Sequence, residues 1–256
     1  MVNQTVTKPI PPASLAQEQR AEDVVRQELA NAYQILARLG YDDLTYTHLS
    51  ARVPGSQSFF MHPLGLLFEE VEPDNLLQMN LTGEVLHGTQ AQYNQTGYIM
   101  HSALYQNRLD INAIFHLHTT AGVSVSAMQC GLLPLSQFAL HFFNRMSYSD
   151  YDALVLDPKR HGEKLVRDLG QNKAMLLRNH GTLTLGSTIQ EAFFYTNFLE
   201  KACQVQCQVL GSGESYMVPA DDVCEQARGD MQNFETDLGV RDWAALVRKF
   251  GLESKG

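Results

Sequence analysis

Apolar residues recur every three to four positions through Ala21, Val24, Val25, Leu29, Ala32, Leu36 and Leu39, and Gly40 follows at once. That period is one stripe of an α-helix, and a glycine just past the stripe is where a helix stops. Ser14-Leu-Ala-Gln17 has capping-box spacing and predicts the helix start. From Tyr41 to Gly88 the texture changes to short segments separated by turn residues: 47–53, 59–61, and 76–81 facing 84–86 across Thr82-Gly83. These predict a meander with at least one hairpin. Helical spacing returns over 98–107, with Gly97 in or before the first turn, and strand alternation follows over 111–118.

The second half predicts a small-residue helix at 121–128, a loop over 131–138 leading into a strand, and a helix at 158–169 stopped by Gly170. A buried strand at 174–177 and a turn and strand over 180–186 come next. Thr188-Ile-Gln-Glu191 is a second capping box, opening a long helix to residue 209 whose stripe carries Ala192, Phe193, Thr196, Leu199 and Cys203. Two weaker helices, 221–235 and 239–250, close the chain. Mixed this way, the elements predict an α/β fold: a single three-layer α/β/α domain with a mostly antiparallel central sheet. Residues 1–13, with three prolines, are expected as a flexible arm, 14–212 as the domain and 213–256 as a helical tail.

Composition narrows the function classes. An apolar fraction of 44% and a charged fraction of 18% describe an ordinary globule with material for a core. The net charge of −9 and the lack of a Lys/Arg cluster argue against a nucleic-acid surface. Neither a signal-peptide core nor an apolar run long enough to cross a bilayer is present, so a cytoplasmic protein without membrane attachment is expected. The four cysteines show no Cys-x-x-Cys pairing and read as reduced residues.

The chemistry concentrates in histidines. His116 and His118 stand two apart on the strand, so they share a face about 6.5 to 7 Å apart along it. Two imidazoles so placed can converge on one ion at metal–nitrogen distances of roughly 2.0 to 2.1 Å. His180 follows another apolar run just before Gly181. Three neutral imidazoles with an open position make a catalytic zinc-type site. A bare His-x-His pair more often marks partnered polar residues on a half-buried strand.

The chain resembles the class II aldolase/adducin family, through an ordered series of motifs between about residues 22 and 212: His48-Leu-Ser50-Ala-Arg52, Met61-His-Pro-Leu-Gly65, Asn94-Gln-Thr96-Gly97-Tyr-Ile-Met-His101, Arg108-Leu-Asp110, His116-Leu-His118-Thr-Thr-Ala-Gly122 and Arg178-Asn-His180-Gly181. The stretch from Ser126 to His180 is most like adducin heads and their bacterial relatives. The resemblance implies Zn²⁺, or another divalent cation such as Mn²⁺, on His116, His118 and His180, acting as a Lewis acid on a small-molecule substrate. It implies a homo-oligomer, a tetramer by analogy, and it sets His48, Ser50, Gly65, Thr96 and Gly97 at substrate-binding positions.

Departures from the family pattern shape the expected function. Aldolases of the family carry a glutamate four residues before the histidine matched by His101, and here that place is Gly97, with no carboxylate between Gln90 and Asn107. His48 stands for an asparagine, Gln95-Thr96 for a small-residue pair, and Met61-His-Pro-Leu64 for a Thr-Pro-Ser type of loop. A phosphate cradle needs small residues that expose backbone N–H groups, so these changes point to a non-phosphorylated substrate. His101, His141 and His62 are the candidates for moving a proton, since imidazole titrates near neutral pH. The expected function is a metal-dependent lyase-like enzyme for a small hydroxy-carbonyl compound, by aldol cleavage, decarboxylation or enolisation. The alternative is a non-catalytic oligomerisation module like the adducin heads. Actin attachment is not expected, because no polybasic stretch follows Gly211.

Overall fold

The computed structural model describes residues 12–88 and 91–253. Helix α1 (Pro12–Arg38) is already under way at Pro12. Ser14 therefore lies inside its first turn and not ahead of it, and residues 1–11 of the expected arm lie outside the described residues. Among the described residues eight strands follow: β1 (His48–Ala51), β2 (Ser58–Met61), β3 (Leu77–Asn80), β4 (Val85–His87), β5 (Ala113–Leu117), β6 (Met146–Ser149), β7 (Ala174–Leu177) and β8 (Gly181–Gly186). They form one sheet in the order β4-β3-β2-β1-β5-β8-β7-β6. Six pairings are antiparallel and only β6 with β7 is parallel, so the sheet is mixed, with the expected antiparallel majority.

Strand alternation sorts side chains onto two faces. On one face Leu49, Ala51, Ala113, Phe115 and Leu117 pack against Leu29, Tyr33 and Leu36 of α1 and Phe193 of α6 (Ile189–Gly211). On the other, Ile114, Met175, Leu177, Leu183 and Leu185 pack against Met100 and Leu104 of α2 (Gln95–Asn107) and Leu165 and Leu169 of α5 (Pro158–Leu169). A third cluster joins Val125 of α3 (Thr120–Ala127) to Leu176, Leu199 and Cys203. The result is a three-layer α/β/α architecture. The tail helices α7 (Asp221–Phe234) and α8 (Val240–Phe250) fold back, and Trp243 of α8 is buried in the α1/α6 core. Among the described residues no helix is long and apolar enough to cross a membrane.

One segment departs from expectation. The apolar run after Gly131 becomes the one-turn helix α4 (Gln137–Leu140), because the Ser136 hydroxyl accepts from the Ala139 N–H and starts a turn. The strand comes later, at β6, whose four residues were too few to register as a pattern.

The buried guanidinium of Arg52, just past β1, fastens three elements together. It donates to the carbonyls of Tyr105, Arg108 and Ile111, which end α2 and lead into β5, and it lies 4.6 Å over the Tyr105 ring. Removing it leaves the Tyr105 and Ile111 carbonyls without this donor, while the Arg108 carbonyl keeps the Ile111 N–H. We expect Arg52→Ala to cost about 3 kcal/mol of stability in urea unfolding, and Arg52→Lys to recover little, because an ammonium cannot reproduce the planar fork.

Candidate metal centre

His116 sits near the end of β5 and His118 one residue beyond it, on the α2 face shared with Ile114. His180 is delivered by the tight turn between β7 and β8. There Asn179 adopts a left-handed φ of +57°, and the His180 N–H donates 3.0 Å to the Leu177 carbonyl. Gly181 makes the approach possible: a Cβ there would collide with the Leu117 carbonyl oxygen and lie 3.0 Å from His118 Cδ2. The three rings form a near-equilateral triangle with centroid separations of 4.7, 4.8 and 4.9 Å. One nitrogen from each lies within 4.8 Å of the other two.

The groups behind the rings decide what those nitrogens offer. His116 Nδ1 is 2.9 Å from the Thr182 carbonyl, which only accepts, so Nδ1 carries the proton. His118 Nδ1 is 3.1 Å from a carboxylate oxygen of Asp43, which accepts in the same way. In neutral rings both Nε2 atoms are then bare lone pairs, yet they face each other at 2.9 Å. Two lone pairs at that distance repel unless a cation lies between the rings. The donor set therefore fits a divalent ion, with the orienting acceptors that imidazole ligands characteristically have. Burial and the neighbouring imidazoles hold His116 well below the ordinary histidine range, and burial brings His180 down to about 4. Both rings thus stay in the neutral, ligating form at neutral pH.

The other candidates divide clearly. His48 is the cross-strand partner of His116, with ring centroids 4.9 Å apart, and its Nδ1 is 2.9 Å from Nε2 of His101 on α2. His101 Nδ1 in turn meets the Ser50 hydroxyl, which lies 2.8 Å from the Tyr105 hydroxyl. Thr96 and Gly97 occupy the first turn of α2, capped by Asn94. Gly65 lies in the exposed loop after β2, tied to the approach to α2 by the Leu64 N–H on the Gln92 carbonyl.

His62 points the other way, onto the α1 layer, where its Nδ1 is 2.8 Å from the Tyr33 hydroxyl and its ring packs on Phe68. Burial lowers it to about 4. His141 ends α4 against Phe194 and Phe198 and lines a separate cavity of about 530 Å³ with Arg145, Lys173 and Glu191. Of the three proton-transfer candidates, only His101 borders the histidine cluster. Asp43 was not legible, being one of two adjacent loop acids, Asp42 and Asp43, 75 residues from its partner. Glu191 behaves as a structural group: its carboxylate accepts from Ser187 and pairs with Lys173.

A cavity of about 50 Å³ opens beside His180, lined by Met100, Tyr151, Leu177 and Arg178 among others. The two cations at its border bond protein groups, Arg178 through one guanidinium nitrogen. Arg178 donates to the Met128 carbonyl at 2.6 Å, and Lys164 bonds Ser149 and Asp168.

Known proteins share the sequence and the fold. The family model described as the class II aldolase and adducin N-terminal domain covers residues 27–207. A Pseudomonas aeruginosa protein named for aldolase class 2 is 35% identical over 258 residues, 98% of each chain. The alpha-adducin of Rattus norvegicus is 38% identical over 199 residues, 75% of this chain but only 26% of the adducin. Among solved structures, an aldolase II superfamily protein from Pseudomonas syringae superposes with a TM-score of 0.85 at 35% identity, over 95% of this chain and 98% of that one. The L-fuculose 1-phosphate aldolase of Glaciozyma antarctica shares the fold, with a TM-score of 0.81 at 24% identity over 98% and 97% of the two chains. With the family model spanning most of its length and close relatives along nearly all of it, the chain belongs to the class II aldolase and adducin family.

Proposed function

We propose that this protein is a metal-dependent lyase for a small, non-phosphorylated hydroxy-carbonyl compound, working by aldol cleavage, decarboxylation or enolisation. The observation that carries this reading is the 2.9 Å approach of the Nε2 atoms of His116 and His118, with His180 completing the triangle. A bound divalent ion, Zn²⁺ or Mn²⁺, supplies Lewis acidity toward a carbonyl or enolate oxygen. The protein's own part is orientation. Thr182 and Asp43 fix which nitrogens face inward, and α2 brings His101 and the first-turn residues Thr96 and Gly97 over the same face. Support for a non-phosphorylated substrate comes from Lys164, already bonded to Ser149 and Asp168, and from His48 and Gln95-Thr96 at the altered cradle positions. A homo-oligomeric assembly, a tetramer by family analogy, belongs to this reading.

A second reading is a non-catalytic binding module, favoured by the 38% identity to alpha-adducin over the same stretch and by the glycine at position 97. Metal analysis combined with a thermal-shift screen of hydroxy acids and ketoacids separates the two. A compound that raises Tm only in the metal-loaded protein supports the enzyme, by mass action on the folded state. Silence across the panel supports the module.

Two outcomes follow. Native protein carries a single divalent ion per chain, and His116→Ala abolishes both the ion and any lyase activity; undiminished metal in that variant defeats the assignment. In metal-free protein, stability falls with acid. Burial holds His62 at about 4 and His101 at about 3 in the folded state, against roughly 6.5 unfolded. Below that unfolded value the unfolded chain binds more protons, so stability is level above it and declines as pH drops toward 4, by up to about 1.4 kcal/mol per pH unit for each ring. Urea titrations at stepped pH measure this; a flat profile across the window contradicts the buried neutral imidazoles.

A further inference from the structure

Gly97 has no room for a side chain. A Cβ built on it would lie 2.7 Å from Cδ2, 2.8 Å from Nε2 and 2.9 Å from Cγ of His48. The His48 ring thus lies flat over the first turn of α2, in the space any residue larger than glycine at position 97 would claim. The ring is 2% exposed, its Nδ1 is taken by His101, and its Nε2 has no protein partner among the described residues.

The hydrogen-bond chain behind the ring has a direction. The Tyr105 hydroxyl lies 2.8 Å from Ser50 Oγ but 3.5 Å from the Asn112 carbonyl, which is too long for a good O–H···O bond. Tyr105 therefore donates to Ser50, and Ser50 to His101 Nδ1. His101 then carries its proton on Nε2 and donates it to His48 Nδ1, so the His48 proton stands on Nε2.

We propose that His48 Nε2–H is the hydrogen-bond donor this protein offers to a substrate oxygen beside the His116, His118 and His180 centre, and that His101 is the positioning residue that aims it. The assignment rests on the metal-dependent reading above and names the substrate group concerned: a neutral or developing-anionic keto, hydroxamate or enolate oxygen, which accepts one hydrogen bond. A preorganised donor at the point where negative charge develops favours the reacting state over the resting one. His48 and Gly97 act as one unit, because the donor occupies its place only while position 97 has no side chain.

The test uses Co²⁺-loaded full-length protein and glycolohydroxamate, a small two-oxygen chelator, with binding followed by the visible cobalt absorption. His48→Phe and His48→Asn should retain one Co²⁺ per chain and bind the hydroxamate about ten- to a hundredfold more weakly. His101→Phe should show the same loss, and His101→Gln, whose amide can still donate to His48 Nδ1, should recover most of it. Independently, Gly97→Ala should lower the Tm of metal-free protein by several degrees, and the effect should vanish in a His48→Ala background. Unchanged hydroxamate affinity in both His48 variants overturns the proposal. So does loss of Co²⁺ in both, which makes His48 part of the metal scaffold, or an equal Gly97→Ala effect in both backgrounds. Wild-type protein that takes up no Co²⁺ overturns the metal reading itself, an outcome distinct from failure of the His48 variants.

Discussion

Behind His116 and His118 stand two acceptors, the Thr182 carbonyl and the Asp43 carboxylate, and each takes an Nδ1 proton. With those protons committed, the opposite nitrogens have nothing to share across 2.9 Å. The repulsion is affordable in a folded protein only if a positive charge resolves it. Three separate stretches of chain contribute: the loop after α1 brings Asp43, β5 brings the two rings, and the β7–β8 turn brings His180. None of them makes a site alone.

The sheet keeps two kinds of buried histidine apart. His48 and His116 look toward α2, where His48 meets His101 and His101 in turn meets the Ser50 hydroxyl. His62 faces α1 and serves as a partner for Tyr33, whose hydroxyl also donates to the Leu49 carbonyl and accepts from the Leu49 N–H. His48 and His62 come from neighbouring strands: a shift of one residue in β1 would turn His48 toward α1, and one in β2 would turn His62 toward α2. Register in this half of the sheet is therefore a chemical specification as well as a packing one.

Much of this was legible in the chain. The 3.6 and 2.0 periods placed α1, α2, α5, α6 and most strands, because each buries one clear stripe or face. The spacing of His116 and His118 was open to a merely structural reading, and it took His180 and the family resemblance to single the three out as ligands. What could not be read was contact between distant segments. His62 looked like a pocket residue from its loop, but the parity of β2 turns it to the other layer. His141 follows an apolar run that Ser136 coils into a helix, carrying it to a different cavity. Asp43 has no local pattern, and the overlap between Gly97 and His48 exists only once β1 and α2 are packed.

Trp243 is the chain's single indole, and it sits in α8 against Phe193, 5.6 Å from ring to ring, at 6% exposure. Its environment is set by the tail's hold on α1 and α6 and by nothing in the histidine cluster. Emission excited selectively in that indole is accordingly a built-in optical gauge of whether the last helix is seated. A red shift in that emission signals the C-terminal helix lifting away, while occupancy of the imidazole centre leaves the signal silent.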